Sequence, residues 1–179
     1  MNNTEMGRYE SDIHYEAGYE AAIAADQHFI RFRGMPIVNS MKREDAMLMF
    51  SCMNLRKYKE GETIYEAGTL SRSEMSLIVE GSVSASDRSG HQYAMLSSGD
   101  VFGLFSFLDE ARLHSATLKA EKEVKVLTID RPYFDVITLE DPALGNRLLR
   151  FMFRLLSEMA LQLEHEYATM HGFALGRKY

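Results

Sequence analysis

The segment that decides the fold is GDVFGLFSFLDEARLHSATLKA, residues 99–120. Turn glycines stand near its start, at Gly99 and Gly103, because glycine adopts backbone conformations that other residues resist. Two β-rich segments precede it, YKEGETIYEAG at residues 58–68 and MSLIVEGSVSAS at residues 75–86. Short strands separated by turn residues every ten positions or so are typical of a β-sandwich or barrel.

Helical patterns flank this β-rich centre. Apolar residues recur at helical spacing from about residue 13 to residue 32, and RGMP at residues 33–36 interrupts the pattern. Downstream, Asp141-Pro142 predicts the start of a long helix, because proline suits the first helical turn. The predicted order is therefore helices, strands, a short helix and a long final helix.

Three motifs, in this order along the chain, resemble the cyclic nucleotide-binding domain family, which includes catabolite activators and kinase regulatory subunits. Residues 58–68 are similar to Y-x-x-G-E-x-I-x-x-x-G, and residues 75–83 to a strand that ends in a G-x-V turn. Residues 99–120 are similar to the phosphate-binding cassette, G-D-x-F-G-E followed by R-S/A-A-T-V-x-A. The resemblance covers roughly residues 35–165.

The resemblance implies an α+β, mainly β fold, a jelly-roll or double-stranded β-helix (the β-roll) flanked by N-terminal helices and a long C-terminal helix. The expected segments are a partly helical extension at 1–34, the roll with its flanking helices at 35–140, and the lid or dimer helix with a short tail at 141–179.

A ligand site in the cassette is the second implication. A short helix would start after Gly103, and its free backbone N–H groups, aided by the helix dipole, would point at an anion. The candidate ligand-binding residues are Gly103, Leu104, Phe105, Ser106, Arg112, His114, Ser115 and Thr117.

Two cassette positions depart from the family pattern. In the family, a glutamate accepts a hydrogen bond from the ribose, and this chain has Leu104 at that position. The family's arginine that holds the cyclic phosphate is replaced by His114. A charge-assisted hydrogen bond contributes about 1.5–3 kcal/mol. Loss of both would weaken binding by roughly a hundredfold to ten-thousandfold. We therefore expect weak or no binding of cyclic AMP or cyclic GMP, and no other cofactor or metal.

Other interpretations of the cassette stay open. Arg112 lies two residues before His114, so in an extended chain both would point to one side and could rebuild the phosphate clamp. His114 could bind an anion when protonated near neutral pH, or be a tolerated substitution in an unused pocket. The apolar residues could line a pocket for another ligand or fill the core; they are Leu104, Phe105, Phe107 and Leu108.

The final helix carries a wide apolar stripe that one roll cannot bury, which favours a homodimer with a partner helix. The predicted seam consists of Leu148, Met152, Leu155, Met159 and Leu163. The alternative is that the helix folds back on its own roll.

Composition and motifs argue against several classes of function and partner. The net charge of −6 and the few residues after Tyr167 predict no nucleic-acid partner and no room for a helix-turn-helix domain. The polar N-terminus and the lack of a long apolar stretch predict no leader, no membrane insertion and a cytoplasmic location. Six scattered histidines, a single cysteine and the absence of any nucleophile or Walker motif predict no enzyme.

The expected function is thus a stand-alone sensor or protein-interaction module in signalling, with weak or no cyclic nucleotide binding and a protein partner. The alternative is a genuine cyclic AMP or cyclic GMP receptor that uses Arg112 and His114 as its clamp.

Overall fold

The computed structural model describes residues 18–39, 41–109 and 112–174, with side chains as far as residue 171. The expected polar lead-in at residues 1–12 lies outside the described residues. The helices are α1 (residues 18–25), α2 (Gln27–Gly34), α3 (Pro36–Asn39), α4 (Arg43–Ser51), α5 (Leu104–Leu108), α6 (Arg131–Glu140) and α7 (Pro142–Ala174).

The strands form two antiparallel sheets that face each other. One sheet has the order β1-β8-β3-β6 and the other the order β2-β7-β4-β5. The strands are β1 (Asn54–Tyr58), β2 (Thr63–Tyr65), β3 (Glu74–Glu80), β4 (Ser82–Ser86), β5 (Gln92–Ser97), β6 (Val101–Phe102), β7 (Thr117–Ala120) and β8 (Val124–Asp130). This arrangement confirms the predicted mainly-β roll with flanking helices.

Strand β3 separates two hydrophobic cores. Its residues Met75, Leu77 and Val79 pack against the helical layer. Ile78, on the opposite face, packs between the two sheets. Because successive strand residues point to opposite faces, a strand buried on both faces has a continuous apolar sequence. The segment MSLIV, at residues 75–79, follows this rule except at Ser76.

Local capping explains where the helices begin. The helix expected over residues 13–32 is divided at Asp26 within its described part. The Asp26 carboxylate accepts hydrogen bonds from the backbone N–H groups of His28 (2.6 Å) and Phe29 (3.3 Å). This cap starts α2 as a separate helix. The start of the long helix at Pro142 is as predicted, and the Asp141 carboxylate accepts from the N–H of Leu144 (2.9 Å).

The first half of α7 packs on its own roll. Leu148, Met152 and Leu155 are buried in the helical core, and Met159 packs against it. Every residue from 160 to 171 is exposed, including Leu163. Three of the five residues predicted for a dimer seam are therefore covered by this chain itself, since α2, α4 and α6 supply a partner surface that the helical pattern alone does not show. Among the described residues, no helix is both long and apolar enough to cross a membrane.

Candidate functional site

A cavity of about 380 Å³ lies within the roll. This volume falls in the range of about 300–1,000 Å³ that is typical of small-molecule sites. Its lining comes from β1, β2, the loop between β2 and β3, β3 itself, β6 and the segment before β7. The lining residues are Tyr58, Thr63, Ile64, Tyr65, Glu66, Thr69, Leu70, Arg72, Glu74, Ser76, Phe102 and His114.

An aromatic stack forms part of this lining. The rings of Tyr65 and His114 lie parallel, with centroids 3.7 Å apart and planes 6° apart. Phe102 meets the Tyr65 ring edge-on, with centroids 6.1 Å apart. Burial lowers the pKa of His114 below its usual value, and the nearby charge of Arg72 lowers it further. Both effects favour the neutral form of the imidazole within the stack.

Backbone pairing holds His114 in place. Its N–H donates to the carbonyl of Thr69 (3.0 Å), and its carbonyl accepts from the N–H of Gly68 (2.7 Å). The Thr117 hydroxyl accepts from the N–H of Ala67 (3.0 Å). The loop after β2 is thereby tied to the segment that leads into β7. The Thr117 hydroxyl, a candidate ligand group, already has a protein partner.

Two arginines bear on the charge of the cavity, Arg72 as a lining residue and Arg56, of β1, as the partner of the lining residue Glu74. Arg56 forms a forked ion pair with Glu74, with N–O distances of 2.7 and 2.5 Å. Arg72 lines the cavity, and its side chain makes no hydrogen bond or ion pair with the described residues. The Glu74 carboxylate is thus neutralised while the Arg72 charge is not. The cassette motif does not point to Arg72, because this residue lies outside it.

The structure brings one of the eight candidate ligand residues into the cavity, and that residue is His114. Leu104 is 1% exposed and belongs to the helical core, as does Phe107. Ser106 is also buried, whereas Phe105, Leu108 and Ser115 point to the surface. The cavity lining includes none of these other described residues. Ligand binding by the cassette stays a prediction.

Arg112 lies away from the cavity lining. Its guanidinium carbon is 5.7 Å from the centre of the Phe105 ring, and both side chains are exposed. The Arg112 N–H donates to the carbonyl of Asp109 (3.1 Å). The Arg112 side chain is exposed, whereas His114 is buried and lines the cavity, so the two side chains do not form a clamp together as the alternation of an extended chain predicts.

Gly103 is required by packing. Its φ is +77°, and a Cβ on it would overlap with the Glu74 carbonyl oxygen of β3. The cassette resemblance predicts that this glycine permits the close approach of a ligand. The structure shows a close approach of strand β3 to Gly103, and the approach of a ligand stays a prediction.

Fold and cavity together define a β-roll domain with a cavity of small-molecule size. Residues 55–141 match the sequence model of the cyclic nucleotide-binding domain, and this part of the chain belongs to that family. Both the predicted fold and the predicted family are thereby confirmed.

Three known proteins illustrate the similarity. The cyclic AMP receptor protein of Thermus thermophilus is 26% identical over 136 residues, which are 74% of this chain and 62% of that protein. A cyclic nucleotide-binding domain from Methylobacillus flagellatus superposes with a TM-score of 0.66 at 21% identity, covering 87% of this chain and 86% of the other. The N-terminal domain of a transcriptional regulator from Streptomyces coelicolor has a TM-score of 0.58 at 20% identity, covering 74% and 94%.

The expectation that nucleic acid is excluded is wrong. This fold occurs as one domain of a transcriptional regulator, and the chain spans about 62% of the length of the receptor protein it matches. The net charge describes these 179 residues, and a sensor domain need not carry the charge of the part that contacts DNA. Acidity and the short sequence after Tyr167 therefore do not support the exclusion.

Proposed function

We propose that this chain is a non-enzymatic regulatory domain of the cytoplasm, with a ligand-sized cavity that binds cyclic AMP and cyclic GMP weakly or not at all. The observation that carries this proposal is His114. It stands where the family has the phosphate-binding arginine, and its neutral ring is stacked on Tyr65.

The other cassette contact supports the same conclusion. The family's ribose-binding glutamate is Leu104 here, and this side chain packs into the helical core. A buried leucine neither accepts a hydrogen bond nor faces the cavity. With both polar contacts missing, a cyclic nucleotide would rely on shape and on backbone groups, which favours a dissociation constant far above that of a receptor.

The test restores the missing charge. His114→Arg places a guanidinium at the family position, and we expect about ten- to hundredfold tighter binding of cyclic AMP, equivalent to one charge-assisted hydrogen bond of about 1.5–3 kcal/mol. His114→Gln, which is neutral, is the matched control and should gain nothing. Isothermal titration calorimetry on the three proteins measures the dissociation constants.

Thermal unfolding of the wild type measures the outcome that would contradict weak binding. A dissociation constant near 10 µM would stabilise the wild type by about 2.7 kcal/mol at 1 mM cyclic AMP. For a chain of this size the midpoint would rise by about 5–10 °C. Such a rise in the wild type, abolished by Arg112→Gln, would refute weak binding and establish the alternative, a receptor with a clamp built from Arg112 and His114.

The output of the domain is proposed to pass through protein contacts. The exposed part of α7 carries Leu161, Leu163, Tyr167 and Met170, each at least 60% exposed. Exposed apolar side chains of this size on one helix are typical of a helix that pairs with another. A homodimer through this part of α7 is the first arrangement to test, and docking to another protein is the second.

A further inference from the structure

A free hydroxyl lies in the cavity. Ser76 is only 3% exposed and lines the cavity, on the inner face of β3. Its hydroxyl makes no hydrogen bond with the part of the chain that the structure describes. Buried polar side chains nearly always have a hydrogen-bond partner. The cavity therefore offers a polar group that a ligand atom would satisfy.

An unpaired positive charge lies in the same lining. Arg72 contributes to the cavity but has no ion pair among the described residues, while the fork of Arg56 holds Glu74. A free guanidinium matches a carboxylate in shape and charge. Glu66, a second carboxylate of the lining, is exposed and makes no ion pair with Arg72. Its charge favours a ligand with one negative charge over a ligand with several.

The wall between these polar groups is aromatic and neutral. Tyr65, His114 and Phe102 all line the cavity, and Tyr65 contacts both of the other rings. Aromatic walls favour planar ligands, through stacked or edge-on contacts. The described cassette residues on either side of His114, from 104 to 117, contribute no other side chain to this lining.

We propose that the cavity binds a planar aromatic monocarboxylate, with the carboxylate on Arg72, the ring against Tyr65, His114 and Phe102, and a polar substituent at Ser76. This inference rests on the proposed function, because a cavity that does not accept cyclic nucleotides needs a ligand of another class. It assigns the ligand charge to Arg72, outside the cassette.

The test uses matched ligands on the full chain. Titration calorimetry with 4-hydroxybenzoate should give a dissociation constant below about 1 mM. The neutral analogue 4-hydroxybenzamide should bind at least about tenfold more weakly, because it lacks the charge. Benzoate, which lacks the hydroxyl, should bind several-fold more weakly than 4-hydroxybenzoate.

Matched variants locate the charge. Arg72→Gln should weaken 4-hydroxybenzoate binding by about tenfold or more, whereas Arg112→Gln, a substitution outside the cavity, should leave it unchanged. Because Arg72 is exposed, its substitution should leave the circular dichroism spectrum unaltered. Absence of binding below about 1 mM, or equal binding by Arg72→Gln, would overturn the inference. Micromolar binding of cyclic AMP by the wild type would instead refute the proposed function, so the two failures are distinguishable.

Discussion

Gly103 shows how one residue combines two constraints. Its φ of +77° is a conformation that favours glycine, and a Cβ would overlap with the backbone of Glu74. Left-handed backbone costs other residues about 1–2 kcal/mol, and overpacking adds about 1–3 kcal/mol. We expect Gly103→Ala to lower the free energy of unfolding by about 2–5 kcal/mol, the sum of these two costs, as measured by urea denaturation.

Gly90 is the matched control for this substitution. Its φ of +84° is similar, but a Cβ there would have nothing within 4 Å. Gly90→Ala should therefore cost only the backbone share, about 1–2 kcal/mol. Equal losses for the two variants would show that the contact with Glu74 does not constrain position 103.

At the scale of elements, the contact between α6 and α7 depends on Gly145. A Cβ at this position would lie 2.8 Å from the Thr138 hydroxyl and 2.9 Å from its Cα. Alanine is a better helix former than glycine by about 1 kcal/mol, but here the helices would have to separate at a cost of about 1–3 kcal/mol. We expect Gly145→Ala to destabilise the protein by up to about 2 kcal/mol in urea denaturation.

Gly18 provides the comparison within another helix. It lies in the helical residues 18–25, and a Cβ there would have open space around it. Gly18→Ala should leave stability unchanged or raise it slightly. A stabilising effect of Gly145→Ala, equal to that at Gly18, would contradict the close packing of α6 on α7.

For the whole molecule, α7 is the element through which we propose that two copies associate. Its 33 residues span about 50 Å, and residues 160–171 are exposed. If this part forms a dimer, light scattering after size exclusion should give about twice the chain mass of 20.4 kDa. Leu163→Glu combined with Tyr167→Glu should return the mass to that of one chain, because buried carboxylates oppose association.

The control for this experiment is Leu139→Glu. Leu139 lies in α6 and is 82% exposed, so its substitution should leave the dimer intact. A single-chain mass for the wild type at micromolar concentration would contradict the proposed dimer and would turn attention to a different protein partner.

Local patterns along the chain were sufficient to predict the architecture. Turn glycines, alternating strands and the proline at residue 142 depend on neighbouring residues only, so the order of elements and the family could be inferred from the amino-acid sequence alone. The departures at Leu104 and His114 were visible in the same way, since they required only comparison with a short motif.

The direction of side chains was decided by the tertiary structure. Arg112 is exposed and lies outside the cavity lining, and Leu104 belongs to the helical core. Arg72 enters the lining because the β2–β3 loop folds against the segment before β7, through contacts between residues more than 40 positions apart. Sequence by itself determined the roll and the loss of the family's charged contacts. Only tertiary packing determined which groups face the cavity, because side-chain direction depends on turns and on partners distant in the chain.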